Sequence, residues 1–174
     1  MDKLCQTKKF AKIYAMLDEN EKKFLEKAIE WSRRGMDEAT GGPFGCVIVK
    51  NGELIAEGCN RVLVTNDPTA HAEIVAIRQA CQKLNSFQLN NCDIYASCEP
   101  CPMCLGAIYW ARPNRVIYAN SRYDAAAIEF DDNLIYQEIN TEHFRRKIPF
   151  IHYPYPLALA VFDEWKKLGR KMNY

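Results

Sequence analysis

The stretch DIYASCEPCPMCLGAIYWARPNRVIYA, residues 93–119, decides the fold. It reads as a strand over 93–97, a helix over 101–111 and a second strand over 115–119. A strand, a helix and a strand in succession imply parallel pairing across a helical crossover. A further helix is expected just before this unit, over 70–84. Upstream of that, Phe44 to Lys50 and Glu53 to Cys59 are β-rich runs flanking Asn51-Gly52. Asn-Gly supplies the positive φ angles of a tight two-residue turn, so the two runs form an antiparallel hairpin.

Outside this centre the pattern is helical at both ends. Phe24, Leu25, Ala28, Ile29, Ser32 and Met36 recur at helical spacing before Gly41-Gly42-Pro43 stops the helix. Phe10, Ile13, Tyr14 and Leu17 do the same, giving an extra N-terminal helix within residues 1–18. After 120, short helices are expected around Ala125 and Leu134, a strand over 148–152, and a helix with its tail over 157–174, interrupted by Pro149, Pro154 and Pro156. No repeat, low-complexity tract or long linker divides the chain, so 1–174 is read as one domain.

The chain has 174 residues, with 23 Lys+Arg against 22 Asp+Glu, a net charge of +1. That balance argues against binding driven by phosphate neutralisation, so no nucleic-acid partner is expected. Lys3, Lys8, Lys9 and Lys12 break the opening where a secretory signal would be apolar. No apolar run reaches the ~18 residues of a membrane span. A cytoplasmic setting follows, and there the eight cysteines stay reduced and serve metal binding or catalysis rather than disulfides.

The chemistry concentrates in two places. His71-Ala72-Glu73 stands at one expected helix start, and Pro100-Cys101-Pro102-Met103-Cys104 at the next, one strand later. Residues i and i+3 share a helix face, so Cys101 and Cys104 can turn their sulfurs to one ion. A helix N-terminus favours anions, so both cysteines are expected as thiolates. With His71 they make three protein ligands for a tetrahedral zinc and leave the fourth position for water, the arrangement of a catalytic site. Glu73, two residues from His71, is the candidate proton carrier between that water and an amidine-like substrate. A closed structural site with Cys98 as a fourth ligand is the competing reading. Pro100 disfavours it by holding Glu99 extended and turning Cys98 off the following helix face.

Other polar residues have plainer readings. His143 and His152 lack metal-ligand spacing. Lys166, Lys167, Arg170 and Lys171 suit a helix C-terminus. Cys5, Cys46, Cys59, Cys81 and Cys92 fall in apolar patterns and are expected to be buried bystanders.

With these residues in view, the chain resembles the cytidine deaminase-like superfamily, and within it the small zinc-dependent bacterial guanine deaminases. The shared motifs are Gly41-Gly42-Pro43-Phe44-Gly45, the run from Asn66 to Glu73, and the run from Ser97 to Cys104. Tyr109-Trp110-Ala111-Arg112-Pro113, Phe130-Asp131-Asp132 and Tyr174 carry the likeness to guanine deaminases in particular. The resemblance implies a three-layer α/β/α sandwich around a mixed five-stranded sheet, the hairpin antiparallel and the later strands parallel.

It also implies that Phe44 and Trp110 flank a purine and that Asn60 hydrogen-bonds its edge. Asp132 would bind the amino side and help carry a proton, and Tyr174 would close the pocket of a neighbouring subunit. Activity, on this resemblance, is hydrolytic deamination of guanine by a cytoplasmic, zinc-dependent homodimer. A tRNA adenosine deaminase, a guanosine deaminase and a non-catalytic zinc-stabilised module are the alternatives. Glu129 departs from the pattern, standing where the resemblance leads one to expect glycine, in the loop that leads to Asp132.

Overall fold

Asp18 opens the first helix through a reciprocal cap: its carboxylate accepts from the Asn20 and Glu21 backbone N–H groups, while the Glu21 side chain accepts from the Asp18 N–H. The structure is a computed structural model that describes residues 17–169. In chain order it contains α1 (Glu19–Asp37), β1 (Gly45–Lys50), β2 (Glu53–Cys59), the short α2 (Val62–Thr65), α3 (Ala72–Leu84) and β3 (Cys92–Cys98). There follow α4 (Pro102–Ala111), β4 (Arg115–Asn120), α5 (Arg122–Ala126), α6 (Asn133–Ile139), a 3₁₀ turn over His143–Arg145 and α7 (Pro156–Lys167). The helix expected within residues 1–18 lies almost wholly outside the described residues.

The sheet order is β2-β1-β3-β4. β1 pairs antiparallel with β2 across the expected hairpin, where Asn51 and Gly52 both have positive φ, 52° and 81°. β1 is also antiparallel to β3, and β3 is parallel to β4, so the βαβ unit forms as read. Among the described residues the sheet has four strands, not five. Residues 148–152 form no strand: Pro149 has no N–H to give a ladder, no described strand pairs with the segment, and Ile151 is 89% exposed.

Both faces of the sheet are covered. Cys46, Ile48 and Ile94 point to one side and pack on α3 and α4 through Ala72, Ala76, Ala80, Ile108 and Ala111. Val47, Val49 and Tyr95 point to the other, against Ala28, Phe24 and Leu25 of α1. This gives the three α/β/α layers, and it explains why β1 reads as a continuous apolar run rather than an alternating one. α1 lies so close that a Cβ on Gly45 would sit 2.1 Å from the Ala28 carbonyl oxygen, which reserves that position for glycine. The C-terminal part differs sharply. α6 and α7 contain no buried residue, and Leu157, Leu159, Val161, Phe162 and Trp165 of α7 are all exposed.

Candidate active site

Two helix starts meet at one point. His71 is the N-cap of α3 and Cys101 the N-cap of α4, both with extended backbone, and Pro102 takes the first helical position where a missing N–H does no harm. Cys104 follows one turn into α4 and is buried. The His71 Nδ1 atom lies 3.5 Å from Cys101 Sγ and 3.6 Å from Cys104 Sγ. All three donor atoms lie within 4.8 Å of one another. Two sulfurs and an imidazole nitrogen at that separation suit a tetrahedral zinc ion. Cys98 takes no part: its Sγ faces the Ser121 carbonyl oxygen at 3.6 Å, so the closed four-ligand alternative is not what the fold builds.

The charges of the group interlock. A hydrogen bond from the Cys104 thiol, aided by His71 and opposed by burial, draws the Cys101 thiol down to about 4. The same bond, with burial and the nearby Glu73 carboxyl, pushes Cys104 far up. Two thiolates at this range repel, and a cation bound between them would neutralise both. His71 is raised, chiefly by its hydrogen bond to Cys101. Glu73, in the first turn of α3, is only 7% exposed, and burial raises its carboxyl above the usual range.

These groups open onto a cavity of ≈ 320 Å³, the lower end of the ~300–1,000 Å³ range of small-molecule sites. His71, Glu73 and Cys101 line it together with Phe44, Phe130 and Asp132. Phe44 and Phe130 meet edge to face, with ring centroids 5.0 Å apart. Burial and the charge on Cys101 raise the Asp132 carboxyl.

The family model for the cytidine and deoxycytidylate deaminase zinc-binding region matches residues 18–120. The chain belongs to this deaminase family. It is 50% identical to the guanine deaminase of Bacillus subtilis over 155 residues, 89% of this chain and 99% of the relative. The X-ray structure of that protein superposes with a TM-score of 0.87 at 49% identity, covering 91% of this chain and 99% of the other. A tRNA-specific adenosine deaminase of Aquifex aeolicus is 33% identical over 146 residues, 83% of this chain and 92% of the relative. A structure of guanine deaminase from Nitrosomonas europaea matches with a TM-score of 0.61 at 32% identity, covering 68% and 67% of the two chains.

As a zinc-binding deaminase, the protein would hold its ion through His71, Cys101 and Cys104. The remaining residues named from the sequence divide. Asn60 is buried at the end of β2, beside Phe44, whose carbonyl accepts from its backbone N–H at 3.0 Å. Its side-chain oxygen accepts from the Val62 N–H at 3.0 Å, and it is not among the residues lining the cavity. Trp110 is 64% exposed and does not line this cavity. It stands nine positions after Cys101, which places it ~13 Å further along α4 at 1.5 Å per residue. Tyr174 lies outside the described residues.

Glu129 adopts φ 73°, the left-handed region that glycine favours. The Glu129 N–H donates to the Ala126 carbonyl and the Phe130 N–H to the Ala125 carbonyl, a complete Schellman closure of the turn after α5. The deaminase therefore keeps the loop geometry that a glycine would give. The sequence reading passed over Phe130 and Arg122 as lining residues, although an aromatic directly before paired aspartates was a usable signal.

Proposed function

We propose that the protein deaminates guanine hydrolytically, converting guanine and water to xanthine and ammonia, as a purine-metabolising hydrolase. The observation that carries this is a cavity joining His71, Glu73, Cys101 and Asp132 in a chain half identical to a guanine deaminase over that relative's full length. Zinc bound by His71, Cys101 and Cys104 supplies Lewis acidity that makes water a nucleophile near neutral pH.

The chain's own groups do the rest. Glu73 takes the proton of the attacking water, then returns protons to a ring nitrogen and to the departing amine; its buried carboxyl holds a proton firmly enough to carry it. Asp132, which lines the same cavity, accepts from the amino group and assists its protonation. Phe44 covers one face of the purine. On this reading Asn60, its oxygen already engaged by the Val62 N–H, turns its amide N–H groups to the purine edge.

The reading extends to a cytoplasmic homodimer formed by a single domain, 1–174. Support for the dimer comes from α7, whose Leu157, Leu159, Phe162 and Trp165 face solvent in one subunit. On this reading the C-terminal arm lies on the neighbouring subunit, Tyr174 closes that subunit's pocket, and Trp110 reaches a purine where subunits meet. A reducing compartment keeps the thiol ligands available to metal.

The test is ammonia release by the zinc-loaded protein with guanine, guanosine, adenine, cytidine and a tRNA anticodon stem-loop. Turnover of guanine alone is expected. Preference for the stem-loop, falling with salt, would transfer the chain to tRNA adenosine deamination. Guanosine turnover would show room for a ribose, and inactivity on all five would indicate a non-catalytic module.

A further inference from the structure

We propose that Arg122 is a positioning residue for Asp132, clamping α6 so that the Asp132 carboxylate stays at the cavity wall. The inference rests on the role given above to Asp132. α6 gains from such a clamp because none of its residues is fully buried, so apolar packing holds it only in part. Asp132 is the N-cap of α6, and the Tyr136 N–H donates to its carbonyl at 3.3 Å, so whatever fixes Tyr136 fixes Asp132.

Arg122 is built to do this. Its backbone is anchored to the strand ends beside the metal ligands: its N–H donates to the Glu99 carboxylate at 3.0 Å, and the Glu99 N–H donates to the Asn120 carbonyl at 2.8 Å. From that fixed base the guanidinium lies 4.2 Å from the Tyr136 ring centroid and 5.2 Å from that of Tyr123. The planar guanidinium thus ties α6 to the end of β4 by stacking on the Tyr136 ring, which an ammonium does less well. Arg122 and Asp132 line the same cavity, and the positive charge works against burial and the Cys101 charge, both of which disfavour the Asp132 carboxylate.

The experiment is a double-mutant cycle on guanine turnover with zinc content and melting temperature measured for each variant. Arg122→Gln is expected to lower kcat/KM by ~10–100-fold with zinc retained, since misplacement by about 1 Å costs on the order of 10²-fold. Arg122→Lys should recover part of the loss. Tyr136→Leu, which removes the other half of the clamp and does not line the cavity, should reproduce it. In an Asp132→Asn background, Arg122→Gln should have little further effect.

Two results overturn the inference while leaving Asp132 in place: Arg122→Gln multiplying the Asp132→Asn loss, or a rate loss in Arg122→Gln that Tyr136→Leu does not share. Either would mean that Arg122 touches substrate itself. Full activity in Asp132→Asn would remove Asp132 from the reaction, and the role of Arg122 with it.

Discussion

His71 Nδ1 and Cys101 Sγ lie 3.5 Å apart across 30 residues of chain, and each residue is the N-cap of its helix. The fold therefore brings two positive helix ends to one point. That field favours thiolate, which is the form that binds metal. A neutral scaffold would have to hold two sulfurs together without this help.

Zinc should accordingly depend on all three ligands. His71→Ala, Cys101→Ala and Cys104→Ala are each expected to lose both metal and turnover, by elemental analysis and ammonia release. Retained stoichiometric zinc in Cys101→Ala would mean that another side chain completes the site.

The apolar face of α7 predicts the oligomeric state. Phe162 and Trp165 are one turn apart and both exposed, so charging that face should disrupt whatever covers it. Phe162→Asp with Trp165→Asp is expected to shift a dimer to a monomer in sedimentation experiments. A parent protein that is monomeric at micromolar concentration would end the reading of the C-terminal arm as a subunit contact.

How much was legible beforehand follows from what each signal depends on. The ligands and the hairpin are local: Cys101 and Cys104 share a face by spacing alone, and Asn51-Gly52 encodes its own turn. The βαβ unit followed from period and length. What was not legible depends on long-range placement. Residues 148–152 have a strand-like composition but no neighbouring edge to join, and Pro149 closes off one. Trp110 stands near the end of α4, outside the cavity that Cys101 lines, and spacing alone does not give that placement. Arg122 looks like any surface arginine until Tyr136 is folded against it. The capping pair Asp18 and Glu21 is also local, an acidic N-cap with a glutamate three residues on.

Glu129 stores a small strain. Its left-handed backbone disfavours an L side chain by ~1–2 kcal/mol, partly offset by the greater chain entropy that glycine loses on folding. Glu129→Gly should therefore stabilise the protein by about 1 kcal/mol, read as a rise of ~2–4 °C in Tm. A fall in Tm would mean that the Glu129 side chain makes a compensating contact.

Tyr95 predicts an alkaline limit to stability. Burial, reinforced by the Asp93 carboxylate, raises its phenol to about 12, against an unfolded value of ~10. Between those values the folded state keeps the proton and the unfolded state releases it. The contribution is complete below pH ~10 and is lost as pH rises through about 12. Tyr95→Phe should flatten the decline of urea stability over that window. An unchanged slope would mean that other groups govern alkaline unfolding.

Glu73 provides the sharpest test of the chemistry, because its carboxyl is buried and lines the cavity beside the ligands. Glu73→Gln keeps the shape and hydrogen-bonding capacity but cannot take a proton, so the metal site should remain intact while turnover falls by ~10²–10⁴-fold. Zinc content, melting temperature and ammonia release measured on the same preparation separate the outcomes. Lost zinc together with lost rate would make Glu73 a structural support for His71. Near-normal turnover with zinc bound would require the proton to travel by another route, and Asp132 in the same cavity would be the first residue to examine.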